Sequence, residues 1–339
     1  MKAIRIDKFV ESYDAIAVSE VEPPQAHGDK VVVQIAAAGV NFVDLLYARG
    51  KHQNNRSLIK PPFTLGIEFA GTILSAPPST SNFSIGDRVY GGGIGSYAEQ
   101  IAISESSLNH IPQGWTFEEA AGLAATAPVS YAALIIRGGL RKGETVLVHA
   151  AAGGLGLMAV QVAKAVGARV IATASSSAKL AVARRFGADE CINYADGSEW
   201  WVKVMKMTGQ HGVDVVYDPV GLVDKSLKCL KYKGRILVVG FAGTEGNLEK
   251  IAMNRVLLKQ AQIIGYRYGE TQRRDPAETI EVWKGLREIL DRGLIKPTVF
   301  DKKYKGLESV VIAMRDLSER KVWGKAVITL EASSNASRL

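Results

Sequence analysis

The stretch from Val148 to Gly156, "VHAAAGGLG", constrains this chain more than any other. A short apolar run, "TVLVHA", leads into it, and a helical pattern, "LMAVQVAKAVGA", leads out. A strand, a turn almost free of side chains and then a helix place bare backbone amides at a helix N-terminus. Those N–H groups have no partner within the helix, and the dipole end there is positive. Ala151–Gly156 reads A-A-G-G-L-G, the dinucleotide fingerprint with alanine in place of the first glycine. Gly153 would let backbone approach a diphosphate, and Gly156 would let the helix pack closely on the strand. Ala152, Gly153, Gly154 and Leu155 are therefore candidate coenzyme contacts.

The surroundings strengthen this reading over that of a merely structural turn. From about residue 145 to 269, six apolar runs ("TVLVHA", "RVIATA", "ECINY", "DVVYDPV", "RILVVGF", "QIIGYRY") alternate with helix-length segments. A long amphipathic pattern, "DPAETIEVWKGLREILDRGL", closes this half. The alternation predicts a doubly wound, six-stranded parallel sheet of the Rossmann type, with helices on both faces. The first 120 or so residues differ. Runs such as "KVVVQIAAAG", "EFAGTILSA", "GDRVYGG" and "SYAEQIAI" are punctuated by Gly and Pro, which predicts an irregular β-barrel with no regular helices between its strands. A later strand pair, "TVFDKKYKGL" and "GKAVITL", is expected to return to it. The expected division is 1–123 completed by 297–332 for the barrel, 124–296 for the coenzyme domain, and a floppy tail at 333–339. The cleft between domains is the default ligand site.

The end of the second strand of the α/β half speaks to the choice of coenzyme. An NAD site usually places Asp or Glu there to hold the ribose 2′-hydroxyl. This chain reads Ala172-Thr173-Ala174-Ser175-Ser176-Ser177-Ala178-Lys179, and no acidic residue follows until Asp189. Serine hydroxyls, a helix N-terminus and Lys179 suit a 2′-phosphate, so NADPH is expected, held by Thr173, Ser175, Ser176 and Lys179. The same serines can also cap the following helix. Arg184 and Tyr194 are further candidates for the adenosine end.

The net charge of +8 and a pI of about 9.3 permit a nucleic-acid partner or an anionic small ligand. The basic residues are scattered and show no RNA-binding signature, so nucleic acid is disfavoured. No apolar run reaches the length of about 18 residues that reads as a membrane helix. Two cysteines exclude a disulfide framework and read as buried thiols. The last three residues, Ser337-Arg338-Leu339, fit a peroxisomal address; otherwise a cytoplasmic location is expected.

Over nearly its whole length the chain resembles the zinc-independent quinone oxidoreductases of the medium-chain dehydrogenase/reductase superfamily, the zeta-crystallin group. "AAGVNFVDLLYARGKHQ", "KPPFTLGIEFAGTI", "GDRVYG", "AAAGGLG", "GFAGTEG" and "GKAVI" carry the resemblance. It implies a GroES-like barrel beside the Rossmann domain, and a homodimer formed by pairing the last strands of two coenzyme domains. It also implies that Asn41 and Asp44 face the nicotinamide, with Thr126, Val129, Gly240, Phe241, Tyr266, Tyr268 and Lys325 around the coenzyme. Val129 stands where the family usually has Thr. Zinc-dependent relatives carry Cys at position 41 and His at 67, where this chain has Asn41 and Ile67. Glu68 alone cannot make a zinc site, so no metal is expected. The implied reaction is hydride transfer from NADPH to quinones or α,β-unsaturated carbonyls, with Asn41, Tyr47 or water meeting the developing oxyanion and Tyr47 as candidate proton donor. An enoyl-thioester (enoyl-CoA) reductase is the alternative, and an NADPH-responsive RNA-binding or structural protein the second.

Overall fold

The computed structural model describes residues 1–52, 59–77, 80, 82–243 and 249–330. The chain forms two compact units, Met1–Ala125 with Pro297–Leu339, and Thr126–Lys296. The tripeptide Ser337-Arg338-Leu339 lies outside the described residues.

The first unit begins with strands β1 (Lys2–Ile6), β2 (Val18–Glu20), β3 (Lys30–Val40), β4 (Phe63–Thr64), β5 (Glu68–Ser75), β6 (Arg88–Gly92), β7 (Gln100–Ser104) and β8 (Leu108–His110). The second contributes β9 (Thr145–Val148), β10 (Arg169–Ala174), β11 (Glu190–Asn193), β12 (Val213–Asp218), β13 (Leu230–Val238) and β14 (Gln262–Gly265). The chain then returns with β15 (Tyr304–Lys305) and β16 (Ala326–Thr329).

In the first unit a seven-stranded sheet runs β15-β16-β3-β5-β6-β8, with β7 also on β3. A smaller sheet, β2-β1-β4, completes the β framework. Strand β3 takes β5, β7 and β16 as partners, so neither edge is left to water. That position explains its nearly unbroken apolar sequence. Val33, Ile35, Phe69, Val89 and Ile328 meet in its core.

This unit departs from the expected helix-free barrel. Phe42–Ala48 is an α-helix whose start is tied by two bonds. The Asn41 N–H donates to Asp44 Oδ2 at 2.8 Å, and the Asp44 N–H donates to Asn41 O at 3.0 Å. An Asx residue three before a carboxylate is a helix-start pattern, and it outweighs the β-rich neighbourhood. Val310–Ser318 is a second helix, burying Val310, Ala313 and Met314 at helical spacing. Of the expected strand "TVFDKKYKGL" Tyr304–Lys305 forms a short strand parallel to β16, and Val299 makes a single parallel bridge to Lys325.

The second unit is the expected doubly wound sheet. Its order is β11-β10-β9-β12-β13-β14, and every pairing is parallel. The winding reverses between β9 and β12, the point outside which such sheets bind ligands. Leu147, Ile171, Val216 and Ile236, on adjacent strands, are fully or almost fully buried. Cys229 is buried as expected, while Cys191 is only half-buried, because β11 is the sheet edge.

Candidate functional site

Each unit carries a cluster of polar groups that its core does not require. In the second unit it is the turn after β9. Ala150 has φ +46°, and the Ala151 N–H donates to Thr173 O at 2.9 Å. Gly153 is extended and opens the helix Gly154–Ala165, while its own N–H donates to Ala150 O at 2.9 Å. A Cβ on Gly156 would stand 2.3 Å from Ala150 O and 2.6 Å from Ala151 Cα, so the helix packs against the turn as only glycine permits. A Cβ on Gly153 would lie 3.3 Å from Ala150 O. Ala152 is buried, whereas Gly153, Gly154 and Leu155 are partly open.

Beyond β10, Ser176 caps the helix Ser177–Arg185 by accepting the Lys179 N–H at 3.3 Å. Ser175, Ser176, Lys179 and Tyr194 are half-buried and Arg184 is exposed. The first acidic residue downstream, Asp189, is committed to Lys164 Nζ at 2.9 Å and to the Val170 N–H at 2.7 Å. Thr173 corrects the sequence reading. It is fully buried, with Oγ1 2.9 Å from His149 Nδ1, so it supports the turn from beneath and offers no surface to a ligand.

Thr126 is buried before the helix Ala127–Tyr131, and Val129 is half-buried one turn in. Gly240 and Phe241 follow β13, both half-buried. Tyr266 and Tyr268, expected beside the nicotinamide, are 7% and 8% exposed. Tyr268 OH accepts the Trp283 Nε1–H at 2.6 Å, so these rings serve mainly packing.

In the first unit Asn41, Asp44, Glu68, Tyr97 and Lys325 form one buried polar network. Lys325 Nζ donates to Val40 O at 3.1 Å, to Asn41 Oδ1 at 2.6 Å and to Glu68 Oε1. All three of its N–H groups are thereby taken, so Lys325 supports Asn41 and is no coenzyme contact. Asn41 Nδ2 donates to Glu68 Oε1 at 2.9 Å and to Gly39 O at 3.3 Å. Both amide protons are spent, which corrects the expectation that Asn41 donates to an oxyanion and leaves Tyr47 or water for that task. Glu68 Oε2 accepts the Ala125 N–H at 2.8 Å.

Asp44 is also corrected. It is fully buried and cannot face a ligand. Its Oδ2 accepts the Tyr97 O–H at 2.6 Å, and its Oδ1 has no partner among the described residues. Burial pushes its carboxyl up to about 7, against the opposing pull of the Tyr97 and Asn41 hydrogen bonds and of Lys325. Tyr47 stays half-buried, stacked on His52 with centroids 4.5 Å apart.

Sequence reading missed Glu68 as the hub, Tyr97 and His149. A signal existed for the first. Glu68 opens the buried strand β5 and Lys325 directly precedes the buried strand β16, and a charge in such a place needs an opposite partner. Among the described residues no group of three or more His, Cys, Asp or Glu stands close enough to share a metal ion.

Comparison with known proteins accounts for both units. The family described as "Alcohol dehydrogenase GroES-like domain" matches residues 27–113, and "Zinc-binding dehydrogenase" matches 154–285. The chain is 37% identical over 329 residues to quinone oxidoreductase-like protein 2 of Rattus norvegicus, covering 93% of this chain and 89% of that one. It is 30% identical over 269 residues to quinone oxidoreductase of Homo sapiens, covering 78% and 79%. The crystal structure of Escherichia coli quinone oxidoreductase complexed with NADPH superposes with a TM-score of 0.85 at 26% identity, over 97% of this chain and 100% of that one. The chain belongs to the quinone oxidoreductase family of the medium-chain dehydrogenase/reductase superfamily.

Proposed function

We propose that the protein is an NADPH-dependent reductase of quinones and related α,β-unsaturated carbonyls. The observation that carries the coenzyme choice is the end of β10, where Ser175, Ser176 and Lys179 stand with no free carboxylate to repel a 2′-phosphate. The helix start fits the diphosphate: Gly154 and Leu155 are half-open, and their N–H groups have no partner within the helix. NADPH, when bound, supplies the hydride. The N–H groups of Gly154 and Leu155 hold the diphosphate, and Ser175, Ser176 and Lys179 hold the 2′-phosphate. Glu68 and Lys325 hold the Asn41 amide in one orientation, and Tyr47 delivers the proton to the reduced oxygen. Quinones and enones accept hydride at carbon without a metal to polarise a carbonyl, which suits a site whose two carboxylates against Asn41 are already engaged, Glu68 by Lys325 and Asp44 by Tyr97.

The test is NADPH oxidation by the purified protein with 9,10-phenanthrenequinone and with crotonyl-CoA, side by side. Faster turnover of the quinone is expected. Faster turnover of crotonyl-CoA would move the assignment to an enoyl-thioester reductase, and turnover of neither would defeat it. Lys179→Ala is expected to raise the dissociation constant for NADPH about tenfold, the value of one charge-assisted contact, and to leave NADH binding unchanged. Fluorescence titration with both coenzymes reads this; equal losses for the two would remove Lys179 from the phosphate site.

A further inference from the structure

We propose that His149 is a positioning residue for the coenzyme turn, locking the backbone at Ala150 so that the amides of Gly154 and Leu155 are held ready for a diphosphate. The inference rests on the reading of that turn as the NADPH site.

His149 follows β9 directly and is fully buried. Its backbone N–H donates to Tyr217 O at 3.1 Å, continuing the pairing of β9 with β12. The ring has two polar partners. Nδ1 lies 2.9 Å from Thr173 Oγ1, and Nε2 lies 2.9 Å from Ser226 Oγ, on the helix Val223–Cys229. Trp200 meets the ring edge-on at 4.8 Å. A neutral imidazole has one donor and one acceptor, and the two hydroxyls adapt to either tautomer.

Thr173 uses two groups here. Its hydroxyl meets the His149 ring, and its carbonyl accepts the Ala151 N–H at 2.9 Å. The residues on either side of Ala150 are thus tied to the same point at the end of β10. Ala150 needs that restraint, because its φ of +46° is one that a residue with a Cβ avoids. Such conformations persist where the surroundings over-determine them. The carbonyl of Ala150 accepts the Gly153 N–H and sets the close approach to Gly156. If Ala150 relaxed, that carbonyl would turn and the first amides of the helix would move with it.

Asparagine and glutamine divide the two functions of the imidazole. An Asn amide reaches the place of Nδ1, towards Thr173, and a Gln amide reaches the place of Nε2, towards Ser226. His149→Gln, which gives up Thr173, is expected to raise the Kd and KM for NADPH about tenfold, with kcat at saturating NADPH within about twofold of wild type. His149→Asn, which keeps Thr173, is expected to raise them less than about threefold, although each variant loses one buried bond and a similar amount of melting temperature. Adding Ala150→Gly to His149→Gln is expected to restore the Kd to within about threefold of wild type, because glycine adopts this φ without strain. Thr173→Val, which leaves the carbonyl bond to Ala151, is expected to match His149→Gln, and combining the two should add little. Equal loss of NADPH affinity in the Gln and Asn variants, or a Gln variant that Ala150→Gly does not rescue, would overturn the inference while leaving the coenzyme site standing. A wild-type protein that does not bind NADPH would remove both.

Discussion

Lys325→Met is expected to cost about 3–5 kcal/mol of stability, the usual penalty for removing one partner of a buried ion pair. Lys325 and Glu68 are 3% and 0% exposed on their side chains, so water cannot replace what the substitution removes. The Glu68 carboxylate would keep the Asn41 and Ala125 N–H bonds and lose its ammonium partner. For a unit of this size each kcal/mol moves the melting temperature by roughly 2–4 °C, so a fall of about 10 °C should be visible in a thermal scan. Adding Glu68→Gln removes the stranded charge and should recover part of the loss, with the remainder set by how a Gln amide faces the Ala125 N–H. Melting curves of the wild type, both single variants and the double variant measure the coupling. A fall of less than about 1 kcal/mol on removing Lys325 would show that the pair does not hold this unit together.

Stability should also fall as pH rises from about 4 to 7, and Asp44→Asn should remove much of that slope. The Asp44 carboxyl is raised to about 7 in the folded protein, from an ordinary value of 3.8. A raised carboxyl binds its proton more tightly in the folded state, so its favourable contribution is complete below about pH 4. It is lost as the pH climbs through 7, where the folded protein must accept a buried anion. A shift of about three pH units corresponds to roughly 4 kcal/mol, as an upper bound on this one group. Asparagine can accept the Tyr97 O–H and the Asn41 N–H on its single oxygen, but it places an N–H₂ where Asp44 Oδ1 has no partner. The variant should therefore be no better than wild type at pH 4.5 and more stable at pH 8. Urea unfolding at four pH values would show the two curves crossing; parallel curves would assign the wild-type slope to other groups.

Much of this was legible in the chain. The strand–turn–helix order around "VHAAAGGLG" is local, and the alternation of apolar runs after it predicts a parallel sheet wound in two halves, so the doubly wound unit followed from pattern, while its strand order did not. The missing carboxylate after β10 is likewise a local fact. The short helix Phe42–Ala48 was marked by Asn41 and Asp44 but lay among strand patterns, and seven residues are too few for helical spacing to compete with alternation. The roles of single residues were harder to read. Thr173, Asp44 and Lys325 each stood at a position where a ligand contact was expected, and each turned inward.

The amino-acid sequence by itself determined the α/β unit, the bare amides of its coenzyme turn and the absence of an acid beside the 2′ position. The first is set by a local pattern repeated along the chain, and the other two by residues within a few positions of one another. Only the tertiary structure decided which polar groups were free to act. Glu68 and Lys325 are separated by 257 positions and Asp44 and Tyr97 by 53. Whether such a group meets solvent or a buried partner depends on distant strands brought side by side, and burial, which sets the cost of each charge, exists only once the core has closed.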